Sequence, residues 1–260
     1  MRIAIGASYD GSRFDGWQSQ PSGNTVQDSL ERAMSQIGGG AVRLTGAGRT
    51  DAGVHAAAQV AHFDTDAARP ESAWVRGANS LLPEAVAVQW ATTVPSQFHA
   101  RYSAIARSYR YVLYNHPVRP ALHAGKVGWF HLPLDTEAMA GAARLLVGQN
   151  DFSAFRSAQC QARSPVRTLS HASVSRSGPY CVFDFTANAF LHHMVRNLVG
   201  CLVYVGKGKY PPQWIREVME SRDRRLAAPT IASDGLYLTN VQYDAHWKLP
   251  EFALMLPFAR

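Results

Sequence analysis

Residues 3–40 read IAIGASYDGSRFDGWQSQPSGNTVQDSLERAMSQIGGG, and their hydrophobic period changes once along the way. Apolar residues alternate over Ile3–Tyr9, the period of two that marks a half-buried strand. A polar loop bearing glycines follows. Thr25 then stands three residues before Asp28, a start like a capping box, and the pattern predicts a helix to Ile37 that Gly38, Gly39 and Gly40 stop. Working outward, strands are expected at 41–46 and 57–64, a helix at 71–81 with Pro70 near its start, and a strand at 85–93. That order is β-α-β-β-α-β, the split-βαβ or ferredoxin-like pattern.

The remaining chain repeats it. Tyr109, Tyr111 and Leu113 alternate with Arg110, Val112 and Tyr114 in a strand expected over 106–115. Asp135 is placed to cap a helix through Val147, ended by Gly148. Strands are expected at 166–175 and 180–188 around the hairpin signal Ser177-Gly178-Pro179. Helices at 190–205 and 211–221, the second opened by Pro211-Pro212, precede a last strand at 236–243. The fold class is therefore α+β, with two ferredoxin-like halves at 1–100 and 101–260. Each half predicts a largely antiparallel sheet with helices on one face. The open faces suit a nucleic acid, each other or a second subunit, and periodicity does not choose among these.

A chain of 260 residues can bury a core without a covalent or metal staple, and 47% hydrophobic with 17% charged residues excludes an extended disordered protein. The formal charge is +7. It is unevenly placed: residues 99–176 carry ten basic groups against three acidic ones, a local balance of +7. Such a segment suits a polyanionic partner. Of 26 basic residues 22 are arginine, the side chain suited to bidentate phosphate contacts. Cys160, Cys181 and Cys201 form no CxxC pair, so neither a disulfide framework nor a zinc site is expected, and a reducing compartment fits. Asp10 interrupts any signal-peptide core, and the longest apolar run, 189–206, contains two histidines and Arg196. A cytoplasmic protein with no membrane partner is expected.

The densest chemistry lies at Gly46-Ala-Gly48-Arg49-Thr50-Asp51-Ala-Gly53-Val54-His55, between two expected strands. Its glycines allow backbone conformations and close approaches that other residues resist. It is a poor dinucleotide loop, since Asp51 would repel phosphate and no helix follows. A simple Asx turn is the bland alternative. Spacing alone leaves the two readings level.

The stretch GRTDAGVHA at 48–56 resembles the catalytic motif of the tRNA pseudouridine synthase A family. The likeness continues in order through YDGSRFDGWQ (9–18), FHARYSA (98–104), RSYRYVLYN (107–115), DFSAFRS (151–157), NAFLHHMVRNLVG (188–200) and DGLYL (234–238), covering essentially the whole chain. Tyr102 stands where the family more often has phenylalanine. The resemblance implies the pseudouridine synthase fold with a central RNA-binding cleft. It implies a homodimer, without cofactor or metal, that isomerises uridine to pseudouridine at nucleotides 38, 39 and 40 of the tRNA anticodon stem-loop. Asp51 is similar to the essential aspartate, Arg196 to the arginine that pairs with it, and Tyr109 to the tyrosine beside the target base. Arg49 resembles the residue that holds the flipped nucleotide, and Leu236 lies in a pocket-lining motif. Arg107 and Arg110, in the basic segment, are expected to contact substrate.

The chemistry agrees with that carry-over. Breaking C1′–N1, turning the uracil and joining C5 to C1′ is redox-neutral and consumes no water, so it needs neither metal nor nicotinamide. An ionised carboxylate can act as nucleophile or stabilise a sugar cation. Attack at C1′, attack at C6 and initial removal of a 2′ proton all stay open, as does an acid/base rather than a stacking role for Tyr109. A stacked target base must be extruded, which costs a few kcal/mol.

Three other features read more plainly. His192-His193, if helical, point about 100° apart and converge badly on an ion. GKGK at 206–209 reads as a helix cap with lysines free to meet RNA. Arg222, Arg224 and Arg225 read first as an exposed helix end and second as an RNA contact. A catalytically silent pair of RRM-like modules leaves Arg49-Thr50-Asp51 unexplained. A nucleoside hydrolase using Asp51 would want a second carboxylate, and none stands near the motif.

Overall fold

The computed structural model describes residues 1–252 and is α+β, with a division into two compact units. Of the described residues, the first holds Met1–Ile105 and 237–252; the second holds Ala106–Leu236. Where a boundary near residue 100 is expected, it falls after Ile105, and the last strand belongs with the first unit.

In the first unit β1 (Arg2–Tyr9), α1 (Val26–Gly38), β2 (Thr45–Gly46), β3 (His55–Asp64), α2 (Ala78–Leu81) and β4 (Val86–Val94) follow the expected order. β1 lies antiparallel between β4 and β3, with Ile3 opposite Phe63 and Ile5 opposite Ala61. The final strand, numbered β10 (Leu236–Tyr243), spans the expected residues. It pairs in parallel with β3, Tyr237 to His55 and Leu238 to Ala56. Ile3, Ile5, Leu30, Phe63, Trp17 and Trp74 form the buried core.

Thr25 caps α1 as expected: its Oγ1 accepts from the Asp28 N–H at 3.1 Å. The helix ends with Gly39 in the left-handed region at φ 68. The strand expected over 41–46 shortens to Thr45–Gly46 because α1 takes its donors. Ser35 Oγ accepts the Val42 N–H at 2.9 Å and Glu31 Oε1 accepts the Leu44 N–H at 2.9 Å, while both apolar side chains stay buried. Backbone groups satisfied by helix side chains have no need of a strand partner. The helix at 71–81 is interrupted by a π turn at Ala73–Gly77, where Trp74 is buried edge-on to Phe63 at 5.1 Å.

In the second unit β5 (Ala104–Asn115), β9 (Tyr180–Ala187), β8 (Val166–Ser177) and β7 (Gly148–Asp151) form an antiparallel series, and the short β6 (Gly128–Phe130) runs parallel to β5. Asp135 caps α3 (Thr136–Arg144) by accepting from the Ala138 N–H at 2.9 Å. The helix stops three residues before Val147. Gly148 at φ 117 then turns the chain into β7, whose four residues, GQND, carry no hydrophobic alternation to announce a strand. α4 (Met194–Gly206) starts four residues later than expected, because His193 takes the left-handed conformation at φ 62. His192 and His193 therefore precede the helix, their rings 4.0 Å apart, and the helical spacing argument does not apply to them. α5 is Trp214–Ser221. Among the described residues all three cysteines are free, and no helix is long and apolar enough to cross a membrane.

His62 gives the first unit a pH dependence. Its Nδ1 accepts the Ala100 N–H at 3.2 Å, and burial, with Arg2 and His99 nearby, lowers its pKa to about 4. The folded chain thus refuses a proton that the unfolded chain takes up near pH 6.5. Stability is complete above that pH and falls between about 6.5 and 4. Denaturant titrations across this range should show a loss of about 1–3 kcal/mol, and a His62→Gln variant should show a flatter profile. An unchanged profile would remove His62 as the cause.

Candidate active site

The turn carrying Asp51 joins β2 to β3, and three layers of contact shape it. The Ala47 N–H donates to Val60 O at 2.7 Å, continuing the antiparallel ladder. Gln59, fully buried in β3, grips Gly48 from both ends of its amide: Nε2 donates to Gly48 O at 2.7 Å and Oε1 accepts the Gly48 N–H at 3.4 Å. The Val54 N–H donates to Asp51 O at 3.1 Å, with Gly53 at φ 80 making the reversal.

The loop after β1 closes over the same turn. Tyr9 OH lies 2.8 Å from Thr50 Oγ1 and accepts from Gln59 Nε2 at 3.4 Å. Burial raises the Tyr9 phenol to about 12, against those bonds, so it stays neutral and serves as a hydrogen-bonding strut. The Trp17 N–H donates to Thr50 O at 3.0 Å. Gly16, at φ 100, lies so close that a Cβ there would sit 2.7 Å from Thr50 O. The motif blocks 9–18 and 48–56 are thus one structure. Thr50 is buried, Asp51 is half-buried, and Arg49 and Ala52 are exposed. Asp51 is held by its backbone at the rim of the turn.

His55 closes the far side. Its Nδ1 accepts the Gly11 N–H at 3.0 Å, and its ring stacks on Tyr237 at 4.6 Å. The amide is an obligate donor, so Nδ1 is the acceptor and Asp10 Oδ1, 3.2 Å away, receives no proton from that nitrogen. Burial pushes the Tyr237 phenol up as well.

The other expected site residues belong to the second unit. Tyr109 on β5 sits opposite Phe185, nearly buried, with the Phe190 ring edge-on at 5.1 Å. Arg107, two residues earlier and so on the same side of the strand, donates from Nη1 to Asn188 O at 2.9 Å. Arg110 faces the other way. Its guanidinium fork holds Asp184 across the sheet, Nε at 2.8 Å and Nη2 at 3.1 Å, so structure engages the group that sequence offers to substrate.

Arg196 is in the first turn of α4, and its Nε donates to Ile231 O at 2.9 Å. Beside it the fully buried Asn197 donates to Phe155 O at 2.7 Å and accepts from Thr230 Oγ1 at 2.6 Å. The same connecting stretch crosses β5, where Tyr111 OH donates to Ala232 O at 3.0 Å and the Val112 N–H to Gly235 O at 2.8 Å. It ends at the buried Leu236, whose N–H donates to Ser233 O at 2.8 Å. Arg196, Tyr111 and Leu236 are therefore tied to one strap, residues 229–236.

The family described as tRNA pseudouridine synthase matches residues 5–103 and 142–244 of this chain. The chain belongs to the tRNA pseudouridine synthase family. It is 60% identical over 250 residues to "tRNA pseudouridine synthase A" of Methylobacillus flagellatus, covering 96% of each chain, and 62% identical over 250 residues to that of Aromatoleum aromaticum, covering 96% and 95%. The likeness to the Thiobacillus denitrificans protein of the same name is 58% over 259 residues and spans both chains completely. This pseudouridine synthase is accordingly an isomerase that converts uridine to pseudouridine in tRNA.

Three residues that hold the synthase's turn escape a reading for chemistry: Tyr9, Gly16 and Gln59. Gln59 leaves one trace in the sequence, a lone amide within HAAAQVAHFD. Replacing it by leucine leaves Gly48 without its partners, at a cost of about 1–3 kcal/mol for the orphaned groups. Gln59→Leu is expected to fold, to melt earlier and to lose about 10–100-fold in single-turnover rate, since small displacements of a reacting group weigh heavily. A parent-like rate would show that the Gly48 clamp does not position Asp51.

Proposed function

We propose that this synthase acts at nucleotides 38, 39 and 40 of the anticodon stem-loop, as a cytoplasmic homodimer, with Asp51 as the nucleophile. The observation that carries the reading is the Asp51 turn: a carboxylate on a backbone braced by Tyr9, Trp17 and Gln59, at the position matching the family's catalytic aspartate. A braced carboxylate meets its target without reorganising when the charge on the sugar or base develops.

In this reading Arg196 takes the part of the family's catalytic arginine, and Arg49 holds the extruded nucleotide. Tyr109, its ring already set by Phe190, offers one edge of the slot for the target base. Leu236 supplies an apolar wall, and Arg107, with Arg110 where its pair with Asp184 opens, meets the RNA backbone. The target leaves its stack at a cost of a few kcal/mol, repaid by stacking and charged contacts. The C1′–N1 bond breaks, the uracil turns, C5 joins C1′ and gives up its proton, and N1 takes one up, so the product is an isomer of the substrate. No electrons leave and no water enters, so the step calls for no cofactor or metal.

Mapping pseudouridines in unmodified tRNA after incubation with the purified chain and no added metal or nucleotide tests this directly. New pseudouridines at 38, 39 and 40 are expected. Modification confined to other stems would overturn the site assignment while leaving the isomerase activity in place.

A further inference from the structure

The second unit contains a cavity of about 300 Å³ whose walls include Ser153, Arg156, Ser157, Cys160, Arg222 and Arg224, and no carboxylate lines it. Its three guanidinium groups have different duties. Arg224 is structural: it donates to Ala228 O at 2.9 Å, Asn197 Oδ1 at 3.0 Å and Thr230 Oγ1 at 3.0 Å, and so secures the strap behind Arg196. Arg156 is half-buried, and its side chain has no hydrogen bond or ion pair among the described residues. Arg222 caps α5 in the left-handed region at φ 54, and only its Nε is engaged, 3.2 Å from Asp151 Oδ2, with the side chain 69% exposed.

Asp151 shows how positive the surroundings are. Burial raises its carboxyl, but bonds from Ser153 and the charges of Arg222 and Arg156 outweigh that and hold it below the usual range. One carboxylate outside the lining does not balance three guanidinium groups, so a cation is repelled. The apolar part of the wall is too small for a hydrophobic ligand to be the main occupant. Two arginine forks with uncommitted N–H groups, beside the Ser157 hydroxyl, match the oxygens of a phosphate.

We propose that this pocket binds a backbone phosphate of the tRNA, with Arg156 and Arg222 as its cationic contacts and Ser157 as a neutral donor. The proposal rests on tRNA being the substrate, and not on which uridine is modified or on the role of Asp51. It gives the helix end at residues 222–225 a use, and it ties the DFSAFRS block to binding.

The test uses the whole chain and unmodified tRNA. Arg156→Gln, Arg222→Gln, the double variant and Arg222→Lys are compared with the parent by tRNA binding across salt concentrations and by single-turnover rate at saturating tRNA. Neither arginine makes a buried bond, so parent-like melting is expected. Each glutamine variant should bind tRNA about tenfold more weakly at low salt and flatten the slope of log K against log salt by about 0.7–0.9. The saturated rate should not change, and Arg222→Lys should keep most of the slope. Parent-like affinity and slope in the double variant overturns the proposal. So does a loss of saturated rate at unchanged affinity. Inorganic phosphate stabilising the parent but not the double variant, with tRNA binding unaltered, identifies a free-anion pocket and overturns it too. A parent that fails to bind tRNA condemns the substrate reading instead.

Discussion

Asp51→Asn is expected to lower pseudouridine formation by at least about three orders of magnitude, the scale seen when a nucleophile is removed, with tRNA affinity and melting temperature unchanged. Asparagine has nearly the same shape but no negative charge, so it can neither attack nor stabilise a sugar cation. The fold should survive because the turn is held by main-chain bonds: the Val54 N–H to Asp51 O, the Trp17 N–H to Thr50 O, and the Gly48 clamp on Gln59. Single-turnover assays on unmodified tRNA, with binding measured in parallel, decide it. Full activity in the variant would falsify Asp51 as nucleophile.

Gly11→Ala should produce the largest structural loss. A Cβ at this position would sit 1.9 Å from Val54 O and 2.4 Å from Val54 C, main-chain atoms that no rotamer change can move aside. The same glycine gives its N–H to His55. Overpacking of this kind costs about 1–3 kcal/mol and sometimes more. For a chain of this size that is a drop of about 2–12 °C in melting temperature. Because Val54 follows directly on the Asp51 turn, turnover should fall with stability. Gly40→Ala is the matched control: a Cβ there meets nothing within 4 Å, and no effect is expected on either measurement. A Gly11→Ala protein that melts and turns over like the parent would mean the turn yields more easily than its contacts imply.

Much of this architecture is legible in local patterns. Thr25 and Asp28 mark the start of α1, Asp135 the start of α3, and Ser177-Gly178-Pro179 the β8–β9 hairpin, because each signal acts over three or four residues. What escapes is set by partners distant in the chain. Val42 and Leu44 look like strand residues until Ser35 and Glu31 claim their N–H groups. β7 is visible only through its pairing with β8, and β10 goes to β3 although it lies 180 residues downstream. Arg110 is expected from the sequence to meet substrate, and only the fold shows that Asp184 stands opposite it across the sheet.

The amino-acid sequence by itself determined the α+β class, the order of the main elements and the family, and it singled out the Asp51 turn. Each follows from short-range periodicity, capping or an ordered set of motifs. Tertiary structure alone decided what braces the turn, which arginines are committed to structure and which stay available, and where the last strand pairs. Those outcomes depend on which buried donors and acceptors meet. A buried polar group must find a partner, and only the packed chain brings Gln59 to Gly48, Asp184 to Arg110 and Ile231 to Arg196.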